Sequence, residues 1–507
     1  MSRQVFSGAE LVTLSDETGD AILVEEGRIV SIGDRESILR ESGDSSTEEI
    51  RLDGAVLMPG FVDGHAHMEL SCVSLEQHVH LHAPPVSTLS EMLEAIADRR
   101  RLQPSGWVIV RSSFALGQKL EEGRLPTQEE LDRVSPAEPL ALLAGLHVAV
   151  LNTPAMHMLG LDDESSHDLG MTAHRHPDGT LNGVFTEVWD RLPTAAESFV
   201  VSAISAHARK MFSAHGTTSL STIPTSTADV RALQTLRKAG ELPFRVRFYP
   251  HVPRVGTLES ILSLGATSGF GDDMLKFGGV KIFVDGEGGD GLGTNYDDLK
   301  WTQHDLDGLV RQATDARVQL FMHAVTESGI RAALAAVGKV DPAARRALPG
   351  PHRIEHSGDY VPVGLIEELA HSGLGVVATP HFVGSDVVPP DFQPLRRLVD
   401  AGVLPIGATD TTGTVPHGAA PLYNIASMVN RVDVDGAPST HRLTIHEAVR
   451  MFTTWSAAGQ GEGQEKGALR AGMLADFAVL AENPFRVASD RIAGIPVIGT
   501  YVGGRRV

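Results

Sequence analysis

The sequence predicts an α/β protein of the (β/α)8 TIM-barrel class, with a small β-sandwich domain formed by both termini and an insertion after strand one. Three observations support this class. Helix-period and strand-like segments alternate from about residue 195 onward, eight strand candidates can be identified, and polar residues fall at the ends of those strands. A doubly wound open sheet shares the alternation, so the placement of the polar residues is what favours the barrel.

Eight segments have the apolar and β-branched composition of buried strands. They are AVLMPGFVDGHAH (55–67), TTSLSTI (217–223), FRVRFYPHV (244–252), GVKIFVD (279–285), VQLFMHA (318–324), HRIEHS (352–357), GVVATPH (375–381) and LPIGATD (404–410). Helix-period stretches such as DLDGLVRQATDA lie between them, with short connections. This order is typical of a barrel in which each strand is followed by a helix.

The two ends of the chain resemble each other and differ from its middle. Residues 1–57 contain two apolar runs around a Glu-Gly turn, and residues 467–507 have the same strand-rich texture. We therefore expect one β-sandwich domain built from both ranges, and a barrel domain over residues 58–466. About 150 residues separate strands one and two. This is too long for a loop, and it predicts an inserted subdomain at about 75–190.

Composition limits the partners and the compartment. The chain has 507 residues and a net charge of −21, which disfavours nucleic acid or an anionic membrane as a partner. Its one cysteine, Cys72, suits a reducing compartment. The N-terminal residues include acids where a signal peptide needs an apolar run, and no segment approaches membrane-spanning length. We expect a cytoplasmic protein.

Polar residues end five of the strands that are otherwise apolar. They are His65 and His67 on strand one, Lys281 on four, His323 on five, His356 on six and Asp410 on eight. Chemistry in such barrels lies at these carboxyl ends. A hydrogen-bonded core histidine is the alternative for any single member, but six residues together favour a shared site. Imidazole and carboxylate ligands in one cavity suit Zn²⁺ or a similar divalent ion.

Six motifs in one order point to a family. MPGFVDGHAH, GGVKIFVDG, VQLFMHAV, HRIEHSG, GATD and GMLADFAVLAENPF resemble the amidohydrolase superfamily. The similarity is to its branch of metal-dependent hydrolases related to YtcJ and N-substituted formamide deformylase (amidohydrolase family 3), and it covers nearly the full chain. It implies hydrolysis of a carbon–nitrogen bond (amide, N-acyl or N-formyl) in a small molecule. It also implies a metal-activated water, a homodimer, and one or two bound divalent ions.

The resemblance also assigns roles to the strand-end residues. It implies that His65 and His67 bind the more buried ion and that His323 and His356 bind the more exposed one. Asp410 would be both a ligand and the proton shuttle. Thr409 precedes it where relatives more often have serine, and the exchange keeps the hydroxyl. A phosphotriesterase- or lactonase-like hydrolase on the same metal centre is one alternative, and a non-catalytic scaffold is another.

Lys281 needs a specific explanation because an ammonium group in an apolar strand is costly. By similarity it would bridge two ions as an N-carboxylated lysine, since a buried neutral amine can add CO₂. An ion pair with Asp285 or Asp410, with one metal at most, is the alternative, and an outward-facing lysine is another.

Two further histidines are candidates for contact with the substrate. His381 ends strand seven and would stabilise an oxyanion, or else cap the following loop. His147 lies in the insertion, where the family often has a histidine, and would either approach the substrate or have a local structural role.

Overall fold

A computed structural model of the chain describes residues 3–43, 47–161, 171–286, 299–382, 392–412, 417–433 and 435–507. In chain order the strands are β1 (Arg3–Ser7), β2 (Glu10–Leu11), β3 (Ala21–Glu25), β4 (Arg28–Gly33), β5 (Glu48–Arg51), β6 (Val56–Pro59), β7 (Phe61–Ala66), β8 (Val79–His80), β9 (Val108–Ser112), β10 (Leu140–Ala144), β11 (Val148–Leu151), β12 (Thr172–Arg175), β13 (Leu181–Thr186), β14 (Thr217–Thr222), β15 (Arg245–Phe248), β16 (Leu275–Phe277), β17 (Gly279–Phe283), β18 (Gln319–His323), β19 (Arg353–Glu355), β20 (Gly375–Ala378), β21 (Ile406–Gly407), β22 (Phe477–Leu480), β23 (Val497–Val502) and β24 (Arg505–Arg506).

The described α-helices lie mainly between the strands. They are α1 (Arg35–Ser42), α2 (Met68–Gln77), α3 (Leu89–Leu102), α4 (Leu116–Lys119), α5 (Gln128–Val134), α6 (Thr153–Leu159), α7 (Glu197–Met211), α8 (Thr227–Ala239), α9 (Leu258–Leu262), α10 (Gln303–Asp315), α11 (Glu327–Gly338), α12 (Pro342–Arg346), α13 (Ser357–Tyr360), α14 (Ile366–Ser372), α15 (Leu395–Asp400), α16 (Pro421–Val429), α17 (Ile445–Met451) and α18 (Thr454–Gly459). Ser and Thr side chains cap several of them, as in the capping box of Ser226 and Asp229 at α8. None of the described helices combines the length and hydropathy that a bilayer span needs. The expected location and homodimer stay predictions.

Two parallel sheets form the centre of the chain. One has the order β16-β15-β14-β7 and the other has the order β17-β18-β19-β20-β21. Gly278 alone separates β16 from β17, and a Cβ atom there would lie 2.3 Å from the Tyr249 ring, so the chain crosses between the sheets at a residue without a side chain. A parallel bridge between His251 and Lys281 joins the sheets at this edge.

The other edges of the two sheets also meet. The Asp410 amide donates to the His65 carbonyl at 2.8 Å, and the His67 amide donates to the Thr411 carbonyl at 3.0 Å. Gly64 permits this approach, because a Cβ there would lie 2.4 Å from the Ile406 side chain.

Some strands are shorter than their sequence segments suggest. Segment 55–67 divides at Gly60 into β6 and β7, which belong to different sheets. The strands in segments 375–381 and 404–410 also end early, because carboxylate side chains bind backbone amides that would otherwise pair with a neighbouring strand. The Thr379 amide donates to Asp359 at 2.8 Å, and the Thr409 amide donates to Asp63 at 3.0 Å. These carboxylates satisfy backbone groups that a neighbouring strand would otherwise bind.

Strands from both ends of the chain pack together. One antiparallel-rich sheet has the order β4-β3-β1-β5, and the other combines N-terminal and C-terminal strands in the order β2-β6-β22-β23-β24. Their apolar faces share one cluster, in which the Phe6 ring lies 5.0 Å from Phe477 and 5.2 Å from Tyr501, both edge-on. Gly504 lies against the side chain of Gln4.

The segment between β7 and β14 forms a third unit. Its six strands have the order β12-β13-β11-β10-β9-β8. Because alternate residues of a strand face opposite sides, Val108 and Val110 pack in one apolar cluster with α3 and α5. Ile109 and Leu143 face the other side, in a cluster with Trp189. The sheet therefore has two apolar faces, one of them turned toward the parallel sheets.

A buried ion pair joins the parallel sheets to the terminal strands. Arg245, at the start of β15, donates two hydrogen bonds to Asp476 at 2.6 and 2.8 Å, and both side chains are 4% exposed.

The substitution Asp476→Ala leaves the Arg245 guanidinium buried and unpaired, so we expect a loss of about 3–5 kcal/mol in the free energy of unfolding, measured by urea denaturation. In the exposed pair of Arg51 and Asp53, Asp53 to Ala is the control, with an expected change below about 1 kcal/mol. Equal effects of the two variants would contradict this prediction.

Candidate active site

Four histidines and one aspartate meet at the carboxyl ends of the parallel strands. His65 lies near the end of β7 and His67 directly follows the strand, with ring centroids 5.3 Å apart. His356 follows β19 and its ring lies 5.2 Å from that of His65 and 4.9 Å from that of His323, the last residue of β18. The strand order therefore brings together side chains that are far apart in the sequence, as the six strand-end residues predict.

Asp410 completes this cluster. Its Oδ1 lies 3.3 Å from His67 Nε2 and 3.5 Å from His65 Nε2, and its side chain is 17% exposed.

Burial works to raise the pKa of Asp410, but the hydrogen bond from His67 and the adjacent imidazoles lower that pKa below its usual value. Asp410 and His356 have φ angles of 42° and 65°. Non-glycine residues adopt this left-handed region at an energetic cost, which is typical of functional sites.

Several ring nitrogens of the cluster are buried without a hydrogen-bond partner among the described residues. They are His65 Nε2, His67 Nδ1 and His323 Nε2. Burial lowers the pKa of all three imidazoles, and the charge of Lys281 also lowers that of His65, so these rings are neutral and each carries a lone pair. Donor atoms of His65, His356 and Asp410 lie within 4.8 Å of one another. This donor set suits a divalent metal ion.

Lys281 lies beside the cluster, on β17. It is fully buried, and its Nζ makes no ion pair within 4.0 Å in the part of the chain that the structure describes. The Nζ atom lies over the ring of Phe283, 5.0 Å from the ring centroid. Burial lowers the pKa of Lys281 to about 8. The alternative ion pairs with Asp285 and Asp410 are therefore absent from the described chain, and an outward-facing lysine is excluded.

Glu355 supports the cluster from below. It accepts a hydrogen bond from His65 Nδ1 at 2.5 Å, and Arg353 donates to both of its oxygens at 2.9 and 2.7 Å. Arg353 also lies over the Phe321 ring at 3.6 Å. A carboxylate at Nδ1 fixes the tautomer of His65 and directs Nε2 into the cluster. Glu355 was not predicted as a residue that supports His65, although a charged residue inside the HRIEHS strand was a usable signal.

Asp63 and Asp285 fix the backbone around the cluster. Asp63 accepts from the Thr409 hydroxyl at 2.5 Å and from the amides of Thr409 and His65. Asp285 accepts from the Thr326 amide at 2.8 Å and from its hydroxyl at 2.7 Å. Burial raises the pKa of Asp63 to about 7. Asp63 was not predicted, because its partner Thr409 is 346 positions away.

Comparison with known proteins places this chain in a family. The model of the amidohydrolase family matches residues 48–507. The chain belongs to the amidohydrolase family. It is 26% identical to the N-substituted formamide deformylase of Arthrobacter pascens, with 97% of this chain and 95% of the relative covered. It is 25% identical to the putative amidohydrolase YtcJ of Bacillus subtilis (strain 168), covering 100% of this chain and 99% of that relative.

A solved structure shows the same fold. The chain superposes on an uncharacterized metal-dependent hydrolase from Pyrococcus horikoshii with a TM-score of 0.72 and 20% identity. The superposition covers 96% of this chain and 99% of that one. The identification from sequence motifs is thus confirmed, and this amidohydrolase is an enzyme of the hydrolase class.

The insertion brings His147 to the cluster of this amidohydrolase. The His147 ring lies 5.5 Å from that of His323, and its Nδ1 lies 3.0 Å from Glu187 Oε1. Trp189 is stacked on His251 at 5.7 Å, and His251 lies beside Lys281. His251 is the next-to-last residue of FRVRFYPHV, so its place near the end of predicted strand three was an unused signal in the sequence.

His381 is buried near Asp410. Its amide donates to Asn424 at 3.1 Å, and its ring packs against Gly418, where a Cβ would lie 2.8 Å from Nε2. Burial lowers the pKa of His381 to about 4, partly offset by the charge of Asp410. Its side chain faces the 418 loop, an arrangement expected of a loop-supporting residue.

The hydroxyl of Thr409 is predicted to matter more than its methyl group. Thr409 to Val leaves Asp63 without its 2.5 Å hydrogen bond in a buried place, so we expect a loss of about 1–3 kcal/mol in the free energy of unfolding. Thr409 to Ser keeps the hydroxyl and is expected to lose less than the valine variant. Chemical denaturation of both variants measures the difference, and a more stable valine variant would contradict the role given to this bond.

Proposed function

We propose that this amidohydrolase is a metal-dependent hydrolase that cleaves a carbon–nitrogen bond of an amide, N-acyl or N-formyl compound. The observation that carries the proposal is the convergence of four imidazoles and Asp410 with unpartnered ring nitrogens in a buried cluster. Such nitrogens are costly unless a ligand occupies them. The similarity to a relative named N-substituted formamide deformylase supports N-formyl compounds as the first to test.

The residues present fit one or two divalent ions, with Zn²⁺ the first candidate because imidazole and carboxylate ligands suit it. His65, His67, His323, His356 and Asp410 would supply ligand atoms, and Lys281 lies beside them. A bound divalent ion supplies Lewis acidity, which lowers the pKa of water and polarises a carbonyl group. The carboxylate of Glu355 keeps His65 Nε2 directed into the cluster.

Asp410 is proposed as the group that moves the proton. Its lowered pKa keeps the carboxylate ionised at neutral pH, and its partial exposure opens it to the mouth of the site. Its oxygen accepts a proton from the attacking water while the new carbon–oxygen bond forms. The same proton then passes to the leaving nitrogen as the carbon–nitrogen bond breaks, so that an amide and water become an acid and an amine.

Lys281 is proposed to carry a carboxyl group on Nζ. The neutral amine attacks CO₂, a nitrogen–carbon bond forms and one proton is released, which leaves a carbamate anion. The supporting observation is a buried amine without an ion pair in the described chain, close to four imidazoles. An anion at this position would balance the charge of two cations.

His147 is proposed to contact the substrate. It lies next to His323, and Glu187 holds its Nδ1, so the insertion places a fixed imidazole at the edge of the cluster. For His381 we propose support of the loop at Gly418, because its ring packs there, and an oxyanion-stabilising role only in second place. The insertion would therefore contribute directly to recognition.

The architecture is also proposed at a finer level. Backbone bonds at both edges of the parallel sheets support one closed (β/α)8 barrel. The shared apolar cluster of the terminal strands supports a β-sandwich made from both ends of the chain. The division into residues 1–57 with 467–507, a barrel at 58–466 and an insertion at about 75–190 follows from this. In this division β6 lies at the boundary, because it pairs with β22.

Asp410 to Asn is expected to lower kcat for hydrolysis of N-formylbenzylamine by about 10²–10⁴-fold, because the amide cannot accept the proton. Amine release measures the rate, and metal analysis of each protein shows whether binding is also affected. The control is Asp315 to Asn, at an exposed position of α10. Full activity of the Asp410 variant would overturn the proton-transfer role, and full activity after exhaustive chelation would overturn the metal dependence.

The state of Lys281 can be observed directly. Protein prepared with ¹³C-bicarbonate and Zn²⁺ is expected to show one ¹³C carbamate resonance, because the buried amine adds labelled CO₂. Lys281 to Met should lack the resonance, and Lys339 to Met, at an exposed lysine, should keep it. If wild-type protein prepared in this way binds metal but shows no labelled carbamate resonance, the carboxylated form is contradicted.

A further inference from the structure

A cavity of about 60 Å³, partly open to solvent, lies beside the cluster, between α2 and the inserted sheet. The lining includes Glu69 from α2, Ile109 and Arg111 from β9, Leu143 from β10, and Trp189 and Arg254. None of the six predicted metal or catalytic residues lines it. Trp189 lines the cavity and its ring also stacks on His251, which lies beside Lys281. The cavity therefore adjoins the proposed active site.

Arg111 is an unusual residue on this surface. Ile109, Arg111 and Leu143 share the sheet face that is otherwise apolar, and Arg111 is paired in register with Leu143. The guanidinium is buried, with the residue 3% exposed, and its Nη1 has no hydrogen-bond partner among the described residues. Its Nε donates to His78 Nδ1 at 3.4 Å, which holds the side chain in place.

The positive charge of Arg111 is not balanced within the described chain. Glu69 and Asp229 line the same cavity, but neither lies within 4.0 Å of the guanidinium. Asp229 instead caps α8 by accepting from the amides of Thr225 and Ser226, and Glu69 accepts from the Thr222 hydroxyl. A buried cation without an anion is strongly unfavourable, and a bound anion would remove the cost.

We propose that this cavity binds the carboxylate of a small organic acid with an apolar body. The carboxylate oxygens would accept hydrogen bonds from Arg111, in the forked geometry that arginine forms with carboxylates. Ile109, Leu143 and Trp189 would pack on the apolar part. The acid is either one end of the hydrolysed substrate or a separate molecule. Only the first of these sources rests on the proposed function.

Calorimetric titration of the full-length protein tests the binding itself. We use 4-phenylbutyrate and its uncharged counterpart 4-phenylbutyramide as probes. The wild type is expected to bind the acid about 10- to 100-fold more tightly than the amide, the range for one charged hydrogen-bonded contact. Equal affinity for both probes, or binding of neither, overturns the proposal. This comparison needs no variant and no enzyme activity.

Arg111→Met tests which residue is responsible. It should weaken binding of 4-phenylbutyrate by the same factor and leave the amide unchanged. Arg133→Met removes an exposed arginine of the same insertion and should behave as wild type. Arg111→Met should also unfold at the same or a higher temperature than wild type without ligand, because it removes an unpaired buried charge. Unchanged acid binding, or a lower unfolding temperature, would overturn the assignment.

The kinetic comparison separates the two sources. N-formyl-4-aminobutyrate carries a carboxylate far from the scissile bond, and N-formylbutylamine lacks it. If the acid belongs to the substrate, Arg111→Met raises KM for the first compound about 10-fold or more and leaves the second unchanged. If KM is unchanged for both while calorimetry shows binding, the acid is a separate ligand. Lack of turnover of both compounds by wild type counts against the proposed function and leaves the calorimetric result standing.

Discussion

A set of hydrogen bonds between β7 and the segment that follows β21 is the constraint on which the candidate site depends. It joins residues such as Asp63 and Thr409, which are 346 positions apart, through hydrogen bonds to both the amide and the hydroxyl of Thr409. The same edge holds Asp410 against the His65 carbonyl. Without this register, Asp410 would not reach the imidazoles of β7. The geometry of the cluster is therefore a property of the sheets, while its side chains supply the chemistry.

Burial makes this arrangement expensive and also useful. Three of the imidazoles have ring nitrogens without partners, and Lys281 has no ion pair in the described chain. The structure accommodates these buried imidazoles and this amine within a frame of carboxylates, each of which is fixed by its own hydrogen bonds. Arg353 holds Glu355, which holds His65, and the start of α11 holds Asp285. A rigid frame of this kind keeps ligand atoms directed at one place before any ligand arrives.

The sequence was informative about which side chains come together. The proximity of His65, His67, His323, His356 and Asp410 was predictable because parallel strands present their carboxyl ends at one edge. Glu355 and Asp63 were not recognised, since each acts through a partner that only the folded chain brings near. Strand lengths were overestimated where Asp63 and Asp359 replace ladder bonds. Arg111 on β9 was visible in the sequence as a charged residue, but only tertiary packing shows that no carboxylate in the described chain forms an ion pair with it.

The shared core of the terminal strands has a consequence for synthesis on the ribosome. Phe6 on β1 packs against Phe477 and Tyr501, and Gln4 lies against Gly504. The strand β1 is thus translated long before β22 and β23, and its apolar face stays uncovered until those strands have emerged. Exposed apolar surface of this kind is what chaperones protect during synthesis.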